Sequence, residues 1–501
     1  MKVSNFLVFL LIISIFSSCN SDDKQIDFTF IQLNDVYEIG SLGEYGGLDK
    51  VETLHKKLKA ENENTFMFMA GDFLNPSLLS TIKVDGKRLK GKHMIEVMNA
   101  MNFDLVGFGN HEFDPKEAEF QERLNQSTFQ WISTNAQYNK DKKVIPFYKE
   151  QNGEKIEIPR TITWNLKDAD GTEIKIGFIA PVLDSNPKDY VDYGDFYEDS
   201  KNAFNNLKNE TDVVFGLTHL EMNQDKLLAE MLQEIPLFMG GHEHANTYVK
   251  VGNVTIAKAD ANAKTAYIHR IKFNTKTKET SIESELVTID NSIEPDVEVA
   301  KIISKWNVFL DEKLKNILPE PNKVIYTAKE ALDGRDAPTR SVQTNLGDVI
   351  TRAMSKAFND EVDCAIVNGG SIRIDDKLEG EITGVDIFRV LPFGGGVQKI
   401  KLKGSLLEKT LNYGRLKAGT GAYLQRYKAD YDKELSRWFI AGKPLKKNKV
   451  YTIAVSDYLM LGRDIPVLKA DNKEVIKIFD RTEEDLHADI RKVVIEYLEG
   501  N

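Results

Sequence analysis

The chain has 501 residues, with 66 lysines and arginines against 77 aspartates and glutamates, and a net charge of −11 at pH 7. This acidic excess argues against general binding of nucleic-acid polymers or anionic lipid surfaces. A negatively charged substrate would therefore need a local cluster of cations or metal ions. The length predicts two domains, each with its own hydrophobic core. The sequence does not indicate an oligomeric state.

The first residues are typical of an export signal. Lys2 is followed by an apolar run over residues 6–16 that is too short to span a bilayer, which predicts a signal peptide over residues 1–18. The run ends in Ser17-Ser18-Cys19 and resembles a bacterial lipobox with loose spacing. The resemblance implies a lipid anchor on Cys19, a polar tether over residues 19–25, and an outer-membrane lipoprotein facing the periplasm or the cell surface. The alternative is a plain signal peptide with an incidental cysteine.

The first half of the chain alternates predicted strands and helices. Leu48, Val51, Leu54 and Leu58 recur at helical spacing between two apolar runs. This alternation predicts an α/β domain of stacked layers with buried sheets over residues 26–292. The predicted strands are residues 26–33, 65–69, 104–108, 130–133, 174–179, 213–217 and 237–239.

A break follows near residue 290. Apolar residues from Val299 to Ile317 recur at helical spacing and are followed by Pro319 and Pro321, which predicts a linker helix within residues 293–320. The remainder, residues 321–501, is predicted to be a second α/β domain. It has predicted strands at 323–327, 362–367 and 450–455 and a predicted helix at 346–358.

Five short motifs of the first half carry side chains that bind metal ions. Each follows a predicted strand, and ligand sites of α/β sheets lie outside the carboxyl ends of strands, so we expect the motifs to converge. Carboxylate, amide oxygen and imidazole together suit two divalent ions such as Mn, Zn, Co or Mg. The motifs are Asn34-Asp35-Val36-Tyr37, Gly71-Asp72, Gly109-Asn110-His111-Glu112-Phe113-Asp114, Thr218-His219 and Gly240-Gly241-His242-Glu243-His244.

This ordered set resembles the calcineurin-like metallophosphatases, and the motif from Gly109 to Asp114 is similar to their 5′-nucleotidase branch. The resemblance implies a four-layer αββα metallophosphatase domain, the linker helix and a C-terminal α/β substrate-binding domain. It implies that Asp72 bridges two metal ions. It further implies the remaining ligands, Asp35 and His244 for one ion and Asn110, His219 and His242 for the other.

The resemblance gives His111 a catalytic role without metal binding. Paired with Asp114, which fixes its tautomer and favours the imidazolium, His111 would act as a general acid near the leaving oxygen. Two ions would neutralise the phosphoryl charge, acidify a bound water and orient in-line attack.

The first motif departs from the family pattern, which is Asp-x-His, because Tyr37 stands in the histidine position. Residues i and i+2 of a strand face the same side, so Tyr37 is expected to point at the metals. Three interpretations stay open. Tyr37 binds Fe as phenolate, it hydrogen-bonds a metal-bound water, or the first site is weakened. We favour the second, since an unperturbed phenol has a pKa of about 10.

The second half carries an ordered set of features that resembles the nucleotide-binding domain of the same family. Arginines would clamp phosphate in bidentate fashion, two rings would sandwich a base, and Asn368 and Asp464 would hydrogen-bond the nucleotide. Arg463 replaces a glycine of the family motif, which leaves the substrate preference open. The arginines are Arg335, Arg340 and Arg373, and the rings are Phe393 and Tyr458.

The expected activity is the hydrolysis of nucleoside 5′-monophosphates. The expected partners are the nucleotide substrate, no nucleic-acid polymer, and a membrane only through the lipid anchor on Cys19. Two alternatives stay open. One keeps the metals and changes the substrate to a UDP-sugar or a 2′,3′-cyclic nucleotide. The other is a nucleotide-binding lipoprotein that lost catalysis together with the missing histidine.

Overall fold

The computed structural model describes residues 24–84, 86–315 and 317–501. The predicted signal peptide and Cys19 lie outside these residues. Within the described ranges, no helix is long and apolar enough to cross a membrane. Cys364 is buried with a free thiol.

Two six-stranded sheets form the first domain in the described part of the chain. Their central strands run parallel, and all seven strands predicted from the sequence lie in them. The first sheet has, in spatial order, Thr280–Thr288, Thr265–Asn274, Gln25–Leu33, Thr65–Ala70, Leu105–Gly107 and Gln130–Ile132. The second has Thr161–Lys167, Glu173–Ile179, Val213–Thr218, Leu237–Gly240, Val254–Lys258 and Thr247–Val251.

The two sheets pack face to face through aromatic side chains. The ring centroids of Phe30 and Phe215 are 5.0 Å apart, and those of Phe68 and Phe178 are 5.4 Å apart. All four residues are buried, because each sheet is covered on both faces. This explains why the strands read as continuous apolar runs in the sequence.

Helices cover the outer faces and complete four αββα layers. The helix Leu48–Glu61 packs on the first sheet, and Phe196–Leu207 and Met222–Met231 pack on the second. The other helices of this domain are Leu78–Thr81, Lys92–Ala100, Glu117–Gln126 and the 3₁₀ helix Asn110–Phe113. The short strands are Ser41–Leu42, Tyr45–Gly46, Lys83–Val84, Lys87–Arg88, Ala136–Lys140, Lys143–Ile145, Tyr148–Gln151, Glu154–Glu157 and Val191–Tyr193.

The helix Val297–Lys315 follows the first domain and is docked on it. It packs against Leu48–Glu61 and Lys92–Ala100. The indole N–H of Trp306 donates to Glu96 Oε2 at 3.0 Å. The helix predicted as a linker is thus fastened to the first domain along its length.

The second domain is built on a mixed sheet that has five strands among the described residues. In spatial order they are Leu424–Tyr427, Cys364–Asn368, Val450–Ser456, Val397–Lys403 and Val475–Ile478. The further strands are Val324–Asp333, Lys377–Thr383, Ala429–Asp432, Arg437–Ile440 and Lys443–Pro444. The helices are Asp336–Thr339, Asn345–Lys356, Gly369–Ser371, Gly384–Val390, Gly404–Leu416, Asp457–Met460, Leu486–Ala488 and Ile490–Glu499, of which the third, sixth and seventh are 3₁₀ helices.

Candidate active site

The five motifs predicted to bind metal follow strands of the two sheets and meet at their carboxyl ends. Asp35, Asp72, His242 and His244 all have positive φ angles, of 53°, 58°, 90° and 59°. This left-handed region costs energy for residues other than glycine. The loops therefore hold a strained backbone at the positions that carry the candidate ligands.

Glycine allows two of these loops to approach each other. A Cβ atom on Gly109 would lie 2.2 Å from Asp72 Oδ1, and one on Gly71 would lie 2.3 Å from the backbone nitrogen of Gly109. Gly71 also has a φ of 79°. The Gly-Asp and Gly-Asn-His sequences are thus explained by close contact between backbones.

The core of the candidate metal centre is formed by Asp35, Asp72 and His219, which are all buried. His219 Nε2 lies 3.2 Å from Asp72 Oδ2 and 3.9 Å from Asp35 Oδ1. His244 Nε2 lies 3.2 Å from the same Asp35 oxygen. The structure thus brings two carboxylates and two imidazoles within reach of a shared cation.

The donor atoms fit a metal ion. Asp35 Oδ1, Asn110 Oδ1 and His219 Nε2 are buried and make no hydrogen bond among the described residues. His219 Nδ1–H donates to the Ala70 carbonyl at 2.7 Å, which directs Nε2 toward the carboxylates of Asp72 and Asp35. Buried polar atoms without a partner are costly, and bound divalent ions would satisfy them.

The electrostatics of the centre also favour a cation. Burial alone would lower the pKa of His219, but the charges of Asp72 and Asp35 outweigh it and raise that pKa to about 10. His242 lies beside it, with ring centroids 5.5 Å apart. Burial, together with the positive charge of His219, lowers the pKa of His242 to about 3. His242 is therefore a neutral imidazole, the form that ligates metals.

Tyr37 points into the centre, but the predicted strand geometry is wrong, because the strand ends at Leu33 and both Asp35, with a φ of 53°, and Tyr37 lie in the loop after it. Its hydroxyl donates to Asp72 Oδ2 at 3.2 Å and lies 3.1 Å from His244 Nε2. Burial and the charges of Asp72 and Asp35 raise the pKa of Tyr37 well above its usual value. The neutral phenol thus joins two candidate ligands directly.

His111 and Asp114 form the predicted pair. His111 Nδ1–H donates to Asp114 Oδ2 at 2.8 Å, and the His111 backbone N–H donates to Asp72 Oδ1 at 2.7 Å. Burial alone would lower the pKa of His111, but the charges of Asp114 and Asp72 outweigh the effect of burial and raise the pKa. The pairing with His111 holds the pKa of Asp114 below its usual range although burial opposes this.

A cavity of about 1820 Å³ connects this centre to the second domain. Arg340 and Arg373 line it, and a guanidinium nitrogen of Arg373 lies 3.5 Å from His111 Nε2. Arg335 also reaches the cavity, but its guanidinium is bound to both oxygens of Asp333, at 2.9 and 2.8 Å. Arg340 is paired as well, with its Nη1 2.7 Å from Asp336 Oδ2, so of the three arginines only Arg373 has no carboxylate partner among the described residues.

The predicted nucleotide contacts line the same cavity. Phe393 and Tyr458 are 45% and 36% exposed, which leaves ring surface free for a ligand. Asp464 accepts hydrogen bonds from Asn368 Nδ2 at 2.8 Å and from the Tyr458 hydroxyl at 2.9 Å. Hydrogen bonds therefore hold Asn368, Asp464 and the ring of Tyr458 in fixed positions relative to one another.

Glu112 has a function that the sequence reasoning missed, although it lies in a quoted motif. Its buried carboxylate accepts the backbone N–H groups of Asp72 at 2.7 Å and Gly109 at 2.6 Å with one oxygen. The other oxygen accepts those of Phe73 at 2.9 Å and Leu74 at 3.2 Å. Glu112 thus fastens the Asp72 loop to the Asn110 loop.

Two further features gave no signal in the sequence. Asp375 of the second domain contacts His244 Nδ1, and its other oxygen accepts the backbone N–H of Asp336 at 2.5 Å. Lys258 is buried between the histidine loops, where it donates to the Leu220 carbonyl at 2.6 Å and pairs with Glu243.

Comparison with known proteins agrees with this arrangement. The family described as calcineurin-like phosphoesterase matches residues 28–246, and the family described as 5′-nucleotidase, C-terminal domain, matches residues 324–470. The human 5′-nucleotidase is 26% identical over 474 residues, which cover 84% of this chain and 78% of that protein.

Two other similar proteins are bacterial. A trifunctional nucleotide phosphoesterase of Bacillus subtilis is 27% identical over 405 residues, or 74% of this chain and 27% of that protein. The crystal structure of a 5′-nucleotidase precursor from Thermus thermophilus shares the fold, with a TM-score of 0.72 at 21% identity, and the match covers 95% of this chain and 96% of that one.

Glu112→Gln should destabilise the protein and lower its metal content, because an amide cannot accept four backbone N–H groups. We expect a loss of roughly 3 kcal/mol in the free energy of unfolding, from denaturant titration. The exposed Glu63→Gln serves as the matched control. A Glu112→Gln protein with unchanged stability and metal content would contradict the fastening role.

Proposed function

The chain belongs to the 5′-nucleotidase family of calcineurin-like metallophosphatases, and from this premise we propose that it is a two-metal phosphohydrolase of nucleoside 5′-monophosphates. It is a metal-dependent phosphoric ester hydrolase that acts on nucleotides. The observation that carries the proposal is a single cavity that holds the candidate ligands at one side and the exposed rings of Phe393 and Tyr458 at the other.

Each group has a defined part in the proposed reaction. Asp72 and the candidate ligands around it would hold the metal ions, which when bound would supply Lewis-acid activation of the phosphoryl group and the water. Arg340 and Arg373 bind phosphate oxygens, and His111 donates its proton to the leaving oxygen. The aromatic rings stack on the base, which places the ester bond beside His111.

For Tyr37 we propose the role of a neutral hydrogen-bonding group. Its hydroxyl lies 3.2 Å from Asp72 Oδ2, and burial raises its pKa well above the usual value, which disfavours ionisation. Divalent ions such as Mn, Zn, Co or Mg suit the carboxylate, amide and imidazole donors of the centre.

We propose that the division of the chain follows the sequence prediction, with a metallophosphatase domain at 26–292, a linker helix within 293–320 and a substrate-binding domain at 321–501. We also propose export and a lipid anchor on Cys19, supported by the Ser17-Ser18-Cys19 motif. Mass spectrometry of the mature amino terminus tests the anchor, and an unacylated Cys19 would refute it.

Turnover of a substrate panel tests the proposed activity. AMP, UDP-glucose and 2′,3′-cyclic AMP should be compared with Mn, Zn, Co and Mg added in turn. We expect AMP to give the highest kcat/KM. Hydrolysis of UDP-glucose or the cyclic nucleotide without turnover of AMP would support the alternative substrates. Binding of AMP without turnover of any ester would support a nucleotide-binding lipoprotein that has lost catalysis.

Substitutions of the two aromatic rings test whether they bind the base of the substrate. Phe393→Ala and Tyr458→Ala should raise the KM for AMP roughly tenfold, and much more than the KM for p-nitrophenyl phosphate, which has no base to stack. An equal rise for both substrates would assign these rings a structural role.

The pH dependence of turnover tests the pairing of His111 with Asp114. His111 must be protonated to act as an acid, so the rate should fall as pH rises through its pKa, which Asp114 raises. Asp114→Asn removes this charge, and the fall should move to lower pH by about one unit. The exposed Asp189→Asn should not move it. An unchanged midpoint in Asp114→Asn would refute the assignment.

Substitutions at Tyr37 test its role. Tyr37→Phe should lower turnover less than about tenfold and leave the number of bound metal ions unchanged, as loss of one neutral hydrogen bond should. Tyr37→His should keep or raise turnover, because imidazole ligates divalent ions well. A coloured wild-type protein that bleaches in Tyr37→Phe and loses an ion would instead indicate a phenolate–iron centre.

A further inference from the structure

One strand end that carries no candidate ligand is fastened to the loops of several ligand motifs. The strand Val254–Lys258 pairs in parallel with Leu237–Gly240, which leads into the loop of His242. Directly after it, the Ala259 backbone N–H donates to Asn34 Oδ1 at 2.8 Å, and the Ala259 carbonyl accepts from Asn34 Nδ2 at 3.0 Å. This strand end therefore contacts the first motif and lies beside the fifth.

Lys258, the last residue of this strand, places a fully buried ammonium group among three oxygen atoms. The ammonium donates to the Leu220 carbonyl at 2.6 Å and to Glu243 Oε2, and its nitrogen lies 2.7 Å from Asp225 Oδ2. Three contacts equal the number of N–H groups on an ammonium. The charge of Lys258 is therefore used entirely inside the protein.

Two of these oxygen atoms belong to the loops that carry the candidate histidine ligands. Leu220 directly follows His219, and Glu243 stands between His242 and His244. The contact to Leu220 fixes the backbone of one loop, and the contact to Glu243 fixes a side chain of the other. A single ammonium thus connects the two loops whose imidazoles are predicted to hold metal ions.

The charges of this network favour a geometric role over a contribution to stability. Burial alone would lower the pKa of Lys258, but the charges of Asp225 and Glu243 outweigh the effect of burial and raise the pKa. Asp225 is fully buried, and Lys258 is the one cation that pairs with it within the described chain. Buried ion pairs add little to stability compared with apolar groups of the same size. The network is therefore better explained by the loop positions it imposes.

The stem of Lys258 also fits closely against the backbone of the neighbouring strand. A Cβ atom on Gly240 would lie 2.9 Å from Lys258 Cε and 3.1 Å from Lys258 Cγ. The space therefore accepts an unbranched side chain of this length. Methionine can replace the stem without supplying the charge, which makes Lys258→Met a suitable test variant.

We propose that Lys258 is a positioning residue that sets the separation of His219 from His242 and thereby the affinity of the centre for metal ions. The proposal rests on the metal centre of the proposed function and goes beyond it, because Lys258 is neither a candidate ligand nor part of the cavity wall. Metal ligands must be held within about 0.5 Å of their working geometry. Loss of a group that orients ligands typically lowers metal affinity roughly 10- to 100-fold.

Metal retention tests the proposal. The full chain loaded with Mn²⁺ should be dialysed against graded concentrations of EDTA, and the retained metal measured by atomic absorption. We expect Lys258→Met to release its metal at a roughly 10- to 100-fold lower concentration of free EDTA than the wild type. The control is Lys149→Met, which removes another buried lysine, one that donates to the Phe129 carbonyl at 2.9 Å. It should lower the free energy of unfolding but leave metal retention unchanged.

A neutralised variant separates positioning from stability. Asp225→Asn and Glu243→Gln, added to Lys258→Met, remove the two carboxylate charges that Lys258 leaves behind. We expect this triple variant to regain stability in denaturant titration but to keep the weak metal retention. It also carries the test if Lys258→Met alone does not fold. Wild-type retention in either folded variant would overturn the proposal.

The same measurements distinguish this proposal from the proposed function. A wild type that retains Mn²⁺ but hydrolyses no phosphate ester would refute the proposed function and leave the comparison with Lys258→Met valid. Equal metal retention by the wild type and Lys258→Met, together with turnover of AMP, would refute the role of Lys258 alone. A wild type that retains no metal would refute both.

Discussion

The buried carboxylate of Asp72 is the group on which the rest of the site depends. One oxygen accepts the backbone N–H of His111, and the other lies 3.2 Å from both the Tyr37 hydroxyl and His219 Nε2. The proton donor, the unusual tyrosine and a candidate metal ligand are therefore positioned by one side chain. That side chain is itself fixed by the Glu112 carboxylate, which binds the Asp72 backbone.

The close packing of acidic groups explains why the centre needs cations. Asp35, Asp72 and Glu112 are all buried near one another, and burial with the charge of Asp72 raises the pKa of Glu112 to about 7. In a low-dielectric interior such a cluster is stable only if positive charge neutralises it. Folding of the five loops and binding of metal ions are therefore coupled, because the loops bring the carboxylates together and bound cations would neutralise their charge.

The sequence predicted the parts of this arrangement that depend on local order. Strands with apolar runs and the motifs that follow them are local, so the convergence of Asp35, Asp72 and His219 could be anticipated. Glu112 was visible as a residue, but three of its four backbone partners come from a loop about forty residues away, so its role could not be read from spacing. The contact of Asp375 with His244 arises only when the second domain is placed against the first.

The docking of the helix Val297–Lys315 has a mechanical consequence. Trp306 fastens the helix to the first domain, whereas Leu318 lies against Gly384 and the Pro321 carbonyl accepts the backbone N–H of Val385 in the second. The chain thus passes from contacts with the first domain at Trp306 to contacts with the second domain at Leu318 and Pro321. Any swivel of the second domain would be concentrated in a handful of backbone torsions at that pivot, and it would carry Arg373 and the aromatic rings through an arc while the metal ligands stayed in place.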